Sequence, residues 1–305
     1  MQKHLNTYLI YCEKIKNLDF KTLKAYRIDL NQFFDFLNDR KCQFDKDSIN
    51  IYIETLHDNF KPKTVKRKIA SLKAFSSYCE NEGYLSINPF HVMKLKYKEP
   101  FLLPKTINSS DVQAILKSAY DEQNKATQDK DVTQYTKSQC DRDVAVLELL
   151  FATGMRVSEL CSLKNSDVDL SARFIRIMGK GAKERIIQLT NDEVITALTE
   201  YQKQDKTLDE PFLINRDGQR LSEQSVRQII NKYVKKANLK IHVTPHMFRH
   251  TFATLLLEED VDIRYIQKIL GHSSIITTQI YTHVSTKQQR LILEIKHPRN
   301  KMLVH

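Results

Sequence analysis

The amino-acid sequence predicts a mainly α-helical protein with one small β-sheet, arranged as a helical N-terminal domain and a larger α+β C-terminal domain. Three observations carry this expectation. Residues 1–90 contain four runs whose apolar residues recur at i, i+3 and i+4. The stretch FIRIMGKGAKERIIQL (174–189) alternates apolar and polar on both sides of Gly179-Lys180-Gly181, the signal of a β-hairpin with a glycine-flanked tip. Between the two regions, KLKYKEPFLLPKT (94–106) loses the helical period and is stiffened by Pro100 and Pro104, as a linker would be.

Taken in order, the first four helices are expected over 7–16, 22–38, 48–56 and 64–82. The second presents Leu23, Tyr26, Leu30, Phe33, Phe34 and Leu37 on one side. The fourth presents Val65, Ile69, Leu72, Phe75 and Cys79 and stops at Gly83. These make a domain of residues 1–90, followed by a linker over 91–106 and a second domain over 107–305. That domain opens with a helix near 109–119. Residues 121–141 (DEQNKATQDKDVTQYTKSQCD) are polar without an apolar period and read as a surface insertion. VAVLELLFATGMRVSELCSL (144–163) predicts a buried helix, a turn at Thr153-Gly154 and a helix bearing Arg156 and Glu159 at i and i+3. After the hairpin come a helix over 191–202, a loop over 211–220 and a helix over 222–236.

Composition narrows the class. The 305 residues can hold one large or two ordinary domains, each with its own core. A formal net charge of +11 favours a polyanionic partner. Cys12, Cys42, Cys79, Cys140 and Cys161 are scattered without metal-ligand or redox spacing, which predicts reduced thiols and a cytosolic setting. The N-terminal residues carry no signal-peptide apolar run, and no segment reaches membrane-spanning length. One cationic run stands out. KPKTVKRK places Lys61, Lys63, Lys66, Arg67 and Lys68 at the start of the fourth helix, which reads either as a solvated helix start or as a place where helix dipole and side chains both favour a phosphate.

The chemistry concentrates in residues 241–284, which hold half of the chain's ten histidines. Thr244-Pro245 is a helix start, with threonine as N-cap and proline at the first helical position. On that helix His246, Arg249 and His250 share one face at i, i+3 and i+4, opposite Phe248, Phe252, Leu255 and Leu256. A further helix over 262–270 stops at Gly271, which releases His272, and Ser273 or Ser274 can cap a short helix delivering Tyr281. A guanidinium clamps phosphate, imidazoles move protons or donate hydrogen bonds, and a phenol can attack phosphorus.

The order H-x-x-R-H, L-G-H and then Tyr resembles the C-terminal signature of tyrosine recombinases, the family of lambda integrase, Cre and the Xer proteins. Upstream, ATGMRVSEL is similar to the family's first catalytic block and the hairpin tip to its lysine motif, so the resemblance runs through nearly the whole chain. It implies an N-terminal helical, SAM-like core-binding domain and a C-terminal catalytic domain. It implies Arg156 and Arg249 as phosphate clamps, with Glu159 and His250 supporting them. Tyr281 would be the nucleophile and His246 the base for the phenol, while His272 orients the phosphate. Lys180 would be the general acid, with Lys183 the second choice, and neighbouring arginines would ease release of its proton. The implied partner is double-stranded DNA with a specific recombination site, bound by a homo-tetramer with or without a second recombinase or accessory protein. The C-terminal segment after Tyr281, with Leu291, Ile292, Leu293 and Ile295, would link neighbouring subunits. No metal, nucleotide or other cofactor is expected, because the phosphotyrosyl ester conserves the bond energy.

Other readings of the same residues fit less well. His246 and His250 lack the glutamate of H-E-x-x-H and a third ligand, which disfavours zinc. Gly179-Lys180-Gly181 is no P-loop. A type IB topoisomerase shares most of this residue set, and a DNA-binding protein without catalysis would keep the charge and drop Tyr281.

Overall fold

Several helices begin where the chain supplies a partner for their unpaired N–H groups. In the computed structural model, which describes residues 1–93, 104–179, 184–202 and 208–271, the chain divides into two compact units, Met1–Phe101 and Leu102–His305. The first unit holds α1 (Leu5–Lys14), α2 (Phe20–Asp39), α3 (Lys46–Asn59) and α4 (Pro62–Asn81). Asp19 caps α2 by accepting from the Thr22 N–H at 3.0 Å, and Asp45 caps α3 through Ser48 at 2.8 Å. Proline at the first position starts α4. The predicted stripes meet in an aromatic core: Phe33 lies edge-on to Tyr52 at 4.9 Å, and Phe34 to Phe75 at 5.6 Å. Past α4, Asn88 accepts from Ser76 at 2.7 Å and from the Phe90 N–H at 3.0 Å, turning Pro89–Val92 back onto the bundle. Cys12 and Cys79 are buried, and burial pushes the Cys79 thiol up to about 11.

One member of the cationic run departs from expectation. Lys68 is only 2% exposed and bonds Asp29 at 3.1 Å, with Gln32 as a second acceptor and its ammonium 4.9 Å from the Phe60 ring centroid. Asp29 is itself buried and also accepts from Ser71 at 2.9 Å and from Arg67. The reason is periodicity: position 68 falls on the same inward stripe as Val65, Ile69 and Leu72. Lys68 therefore works inside the unit, whereas Lys61, Lys63 and Lys66 lie on its surface.

In the second unit α5 (Ser109–Gln128) and α6 (Gln134–Thr153) form an antiparallel pair, followed by α7 (Val157–Ser162). The expected insertion over 121–141 is thus mostly helical. It packs through small residues and charges, not large apolar ones, which hid the period. Ala126 and Cys140 are buried, Gln123 donates to Asp141 at 2.8 Å, and Glu122 pairs with Lys236 at 2.8 Å. Thr133 caps α6. Residues 144–150 of α6 are buried on every side, because α5, α8, α9 and α10 all pack on it. The sheet is an antiparallel meander of β1 (Val168–Asp169), β2 (Phe174–Met178) and β3 (Glu184–Gln188). Ile175 opposite Ile187 fixes the register of the hairpin. β1 has no counterpart among the expected elements, since two residues carry no period. Then come α8 (Asp192–Gln202), α9 (Glu223–Lys236), α10 (Pro245–Glu258) and α11 (Ile263–Leu270). Among the described residues no helix is long and apolar enough to cross a membrane.

Candidate active site

The site is built where α6, α10 and α11 converge, and glycine permits the convergence. α6 ends at Gly154 in the left-handed region (φ +58°), and a Cβ there would lie 2.5 Å from the Phe252 ring and 2.9 Å from Leu270. α10 starts as expected, with Thr244 accepting from the Met247 N–H and Pro245 next. Its inward side is Phe248, Ala253 and Leu257 with Arg249 among them, while Phe252, Leu255 and Leu256 are only half-buried.

A buried arginine must have its donors satisfied. Arg249 donates to the Gly154 carbonyl and to the Leu270 carbonyl, both at 2.7 Å, tying the end of α6 to the end of α11. Arg156 precedes α7 as its N-cap and is not inside the helix, a correction to the expected i, i+3 helical pair. It still meets Glu159, because the Glu159 carboxylate turns back to accept the Arg156 N–H at 2.8 Å and the guanidinium at 2.8 Å. The other Arg156 nitrogen reaches the Gly271 carbonyl at 3.4 Å, and the side chain stays 36% exposed, open to an incoming anion.

Glu159 has a partner that motif and spacing did not reveal. Arg185 on β3 donates to both carboxylate oxygens, at 3.0 and 2.7 Å, and through Nε to the Ile269 carbonyl at 2.9 Å. Burial opposes the charged form of Glu159, but hydrogen bonds from Arg185 and from Arg156 outweigh it and hold the carboxyl at about 2. The signal was available: strand alternation puts Arg185 on the same inner face as Ile187, and an inward arginine demands a buried acid.

His246 and His250 lie one turn apart with ring centroids 6.5 Å apart and planes tilted by 31°. The surrounding protein, then the charges of Arg249, Arg227 and Arg156, lower the His246 pKa; Glu223, ion-paired to Arg227 on α9, opposes them. Burial, His246 and Arg249 bring His250 down to about 4. His250 therefore stays neutral in the folded protein while the unfolded chain takes up a proton near 6.5. The depressed folded pKa means stability is present above pH 6.5 and lost as pH falls toward 4, by up to about 3 kcal/mol. Urea midpoints across that window should show the loss, and His250→Gln should flatten it. An unchanged slope in that variant would assign the loss elsewhere.

The structure thus brings together Arg156, Glu159, Arg249, His246 and His250. Lys180, Lys183, His272 and Tyr281 lie outside the described residues. Among the described residues no group of three or more His, Cys, Asp or Glu could hold a metal ion. Three guanidiniums against one carboxylate leave a net positive centre suited to an oxyanion.

Comparison with known proteins supplies the context. Residues 120–288 match the family model described as "Phage integrase family", and residues 5–83 match "Phage integrase, N-terminal SAM-like domain". A tyrosine recombinase of Agathobacter rectalis is 48% identical, over 98% of this chain and 97% of its own. Tyrosine recombinase XerC of Thermodesulfovibrio yellowstonii is 36% identical over 98% of each chain. Among solved structures, XerH site-specific recombinase bound to a palindromic difH substrate, a post-cleavage complex, superposes with a TM-score of 0.72 at 22% identity. That match covers 93% of this chain and 82% of the other.

Proposed function

The chain belongs to the phage integrase family of tyrosine recombinases, and we propose that it cuts and rejoins double-stranded DNA at a specific site through a 3′-phosphotyrosyl intermediate. One observation carries the residue assignment. Arg156 and Arg249 donate to the carbonyls of the consecutive residues Gly271 and Leu270, so two guanidiniums from different elements converge on one point. That is the arrangement a phosphodiester with two non-bridging oxygens requires.

The Tyr281 oxygen forms a bond to phosphorus while the bond from phosphorus to the 5′ oxygen breaks. His246 takes the phenolic proton, and its lowered pKa keeps the imidazole neutral for that task. Lys180 gives a proton to the leaving 5′ oxygen. Arg156 and Arg249 stabilise charge that grows on the phosphate, and His272 orients it. The 5′ hydroxyl of a second duplex then reverses the step, giving a Holliday junction.

A structurally similar protein is a lambda integrase tetramer bound to a Holliday junction, with a TM-score of 0.65 at 18% identity. By analogy we read this chain as a homo-tetramer on two DNA sites, acting in the cytoplasm on chromosomal or mobile DNA. The expected domains, 1–90 for core binding and 107–305 for catalysis, fit that role. The contact segment with Leu291, Ile292, Leu293 and Ile295 lies outside the described residues.

The decisive experiment sequences the DNA that stays covalently attached to the protein and asks whether two duplexes carrying that site exchange strands. Recurrent ends and exchanged products are expected. Scattered ends with relaxation of any supercoiled plasmid would support topoisomerase activity instead.

For the N-terminal unit, replacing Lys61, Lys63 and Lys66 by alanine should lower the salt slope of binding on every DNA sequence, by about 0.9 for each phosphate that is no longer neutralised. Lys68→Met should instead leave the slope unchanged and cost about 3 kcal/mol of stability, because it breaks the buried pair with Asp29. A slope change from Lys68 alone would reverse this assignment.

A further inference from the structure

Three carbonyls at the end of α11 are each held by an arginine from a different element. Arg185 of β3 takes Ile269, Arg249 of α10 takes Leu270 and Arg156 before α7 takes Gly271. Of the three, Arg156 is the open one, with its side chain 36% exposed, whereas Arg249 is buried on two carbonyls. Arg185 is likewise enclosed: its side chain is only 10% exposed and its Nε and both terminal nitrogens donate within the protein.

We propose that Arg185 is a positioning residue: it occupies both oxygens of Glu159 and so leaves the Arg156 guanidinium available for the scissile phosphate. The inference rests on the reading of Arg156 as a phosphate clamp. Its geometry is a matter of counting donors. Glu159 Oε1 accepts from Arg156 Nη1 at 2.8 Å and from Arg185 Nη1 at 3.0 Å. Oε2 accepts from the Arg156 N–H at 2.8 Å and from Arg185 Nη2 at 2.7 Å. Among the described residues four donors reach the carboxylate, and Arg156 gives it only one of its guanidinium nitrogens. Its second nitrogen makes the long 3.4 Å contact to Gly271 and faces the exposed side.

Without Arg185, the donors left on Glu159 among the described residues would all belong to Arg156. A buried carboxylate in that position draws the guanidinium into a two-pronged pair, the geometry that arginine prefers, and so competes directly with a phosphate. The charge count changes in the same sense: Arg156, Glu159 and Arg185 sum to +1, and without Arg185 to zero. Arg185 also packs against Gly271, where a Cβ would lie 3.0 Å from its Nη1, so the glycine and the arginine depend on one another. A further consequence is that Arg185 couples the hairpin to the last turn of α11 and thus to the Arg249 joint.

The test compares Arg185→Met, Glu159→Gln and the double variant with the parent in full-length protein. Binding and single-turnover cleavage are measured on a nicked suicide duplex carrying the recovered site. Arg185→Met should bind DNA within about threefold of the parent and cleave at least about tenfold more slowly. Removing the competing charge should restore cleavage, so the double variant should be at least about tenfold faster than Arg185→Met and within about fivefold of Glu159→Gln. A double variant no faster than Arg185→Met, or an Arg185→Met that cleaves at the parental rate, would overturn the proposal. Should Arg185→Met fail to fold, the comparison of the double variant with Glu159→Gln decides alone: a large deficit there means that Arg185 is structural. Arg156→Lys serves as the separate control, because full cleavage by it would refute the clamp itself, whatever Arg185 does.

Discussion

Tyr281→Phe is expected to abolish the covalent protein–DNA adduct while leaving affinity for the site within about twofold, since one oxygen is removed and every phosphate contact remains. The assay is a nicked suicide duplex resolved under denaturing conditions, where any trapped adduct migrates slowly. The described tyrosines sharpen the expectation. Tyr201 and Tyr233 are buried, and the hydroxyls of Tyr120, Tyr201 and Tyr233 are engaged by Glu148, the Ile214 N–H and Asp143. Tyr265 is different: it stands 66% exposed on α11, six residues before Gly271. Tyr265→Phe is therefore the control and should form adduct at the parental rate. An adduct that survives Tyr281→Phe and disappears in Tyr265→Phe would move the nucleophile to α11.

Much of this site was legible in the sequence because its determinants are local. Thr244-Pro245 dictates where α10 starts, and the i, i+3, i+4 spacing then puts His246, Arg249 and His250 on adjoining positions. Gly154 and Gly271 announce helix ends by the same logic, and both adopt positive φ. What stayed hidden depends on pairing between distant residues. Arg185 meets Glu159 across 26 positions, and Lys68 meets Asp29 across 39. In the second case the apolar period already places Lys68 inside, but the run of charge points toward DNA. Residues 121–141 mislead for the opposite reason: α5 and α6 adhere there through Ala126, Cys140 and the Gln123–Asp141 bond, with Glu122 pairing to Lys236 of α9, an association without an apolar stripe. Arg156 illustrates a smaller limit, since spacing from Glu159 does not distinguish a capping residue from one inside the helix.

Lys180→Ala is expected to slow cleavage by about 10²–10⁴-fold, the range that general acid catalysis commonly supplies. The expectation follows from the leaving group: an alkoxide with no proton donor is a poor one, and a guanidinium is not a proton donor near neutral pH. The hairpin explains why the lysine belongs at this place in the chain. Met178 pairs with Glu184, so residues 179–183 join two strands whose register is set by Ile175 and Ile187. Arg185, one position beyond that pairing, anchors β3 to Glu159, which also holds Arg156. Loss of the acid and loss of structure can be separated by chemistry. A substrate with a 5′-bridging phosphorothiolate has a sulfur leaving group that departs without protonation, so Lys180→Ala should cleave it at nearly the parental rate. Arg156→Lys and Arg249→Ala should gain nothing from sulfur, because the charge on the non-bridging oxygens still goes unmet. If the sulfur substrate fails to rescue Lys180→Ala, the acid lies elsewhere, and the same comparison applied to Lys183→Ala identifies or dismisses the second lysine of the tip.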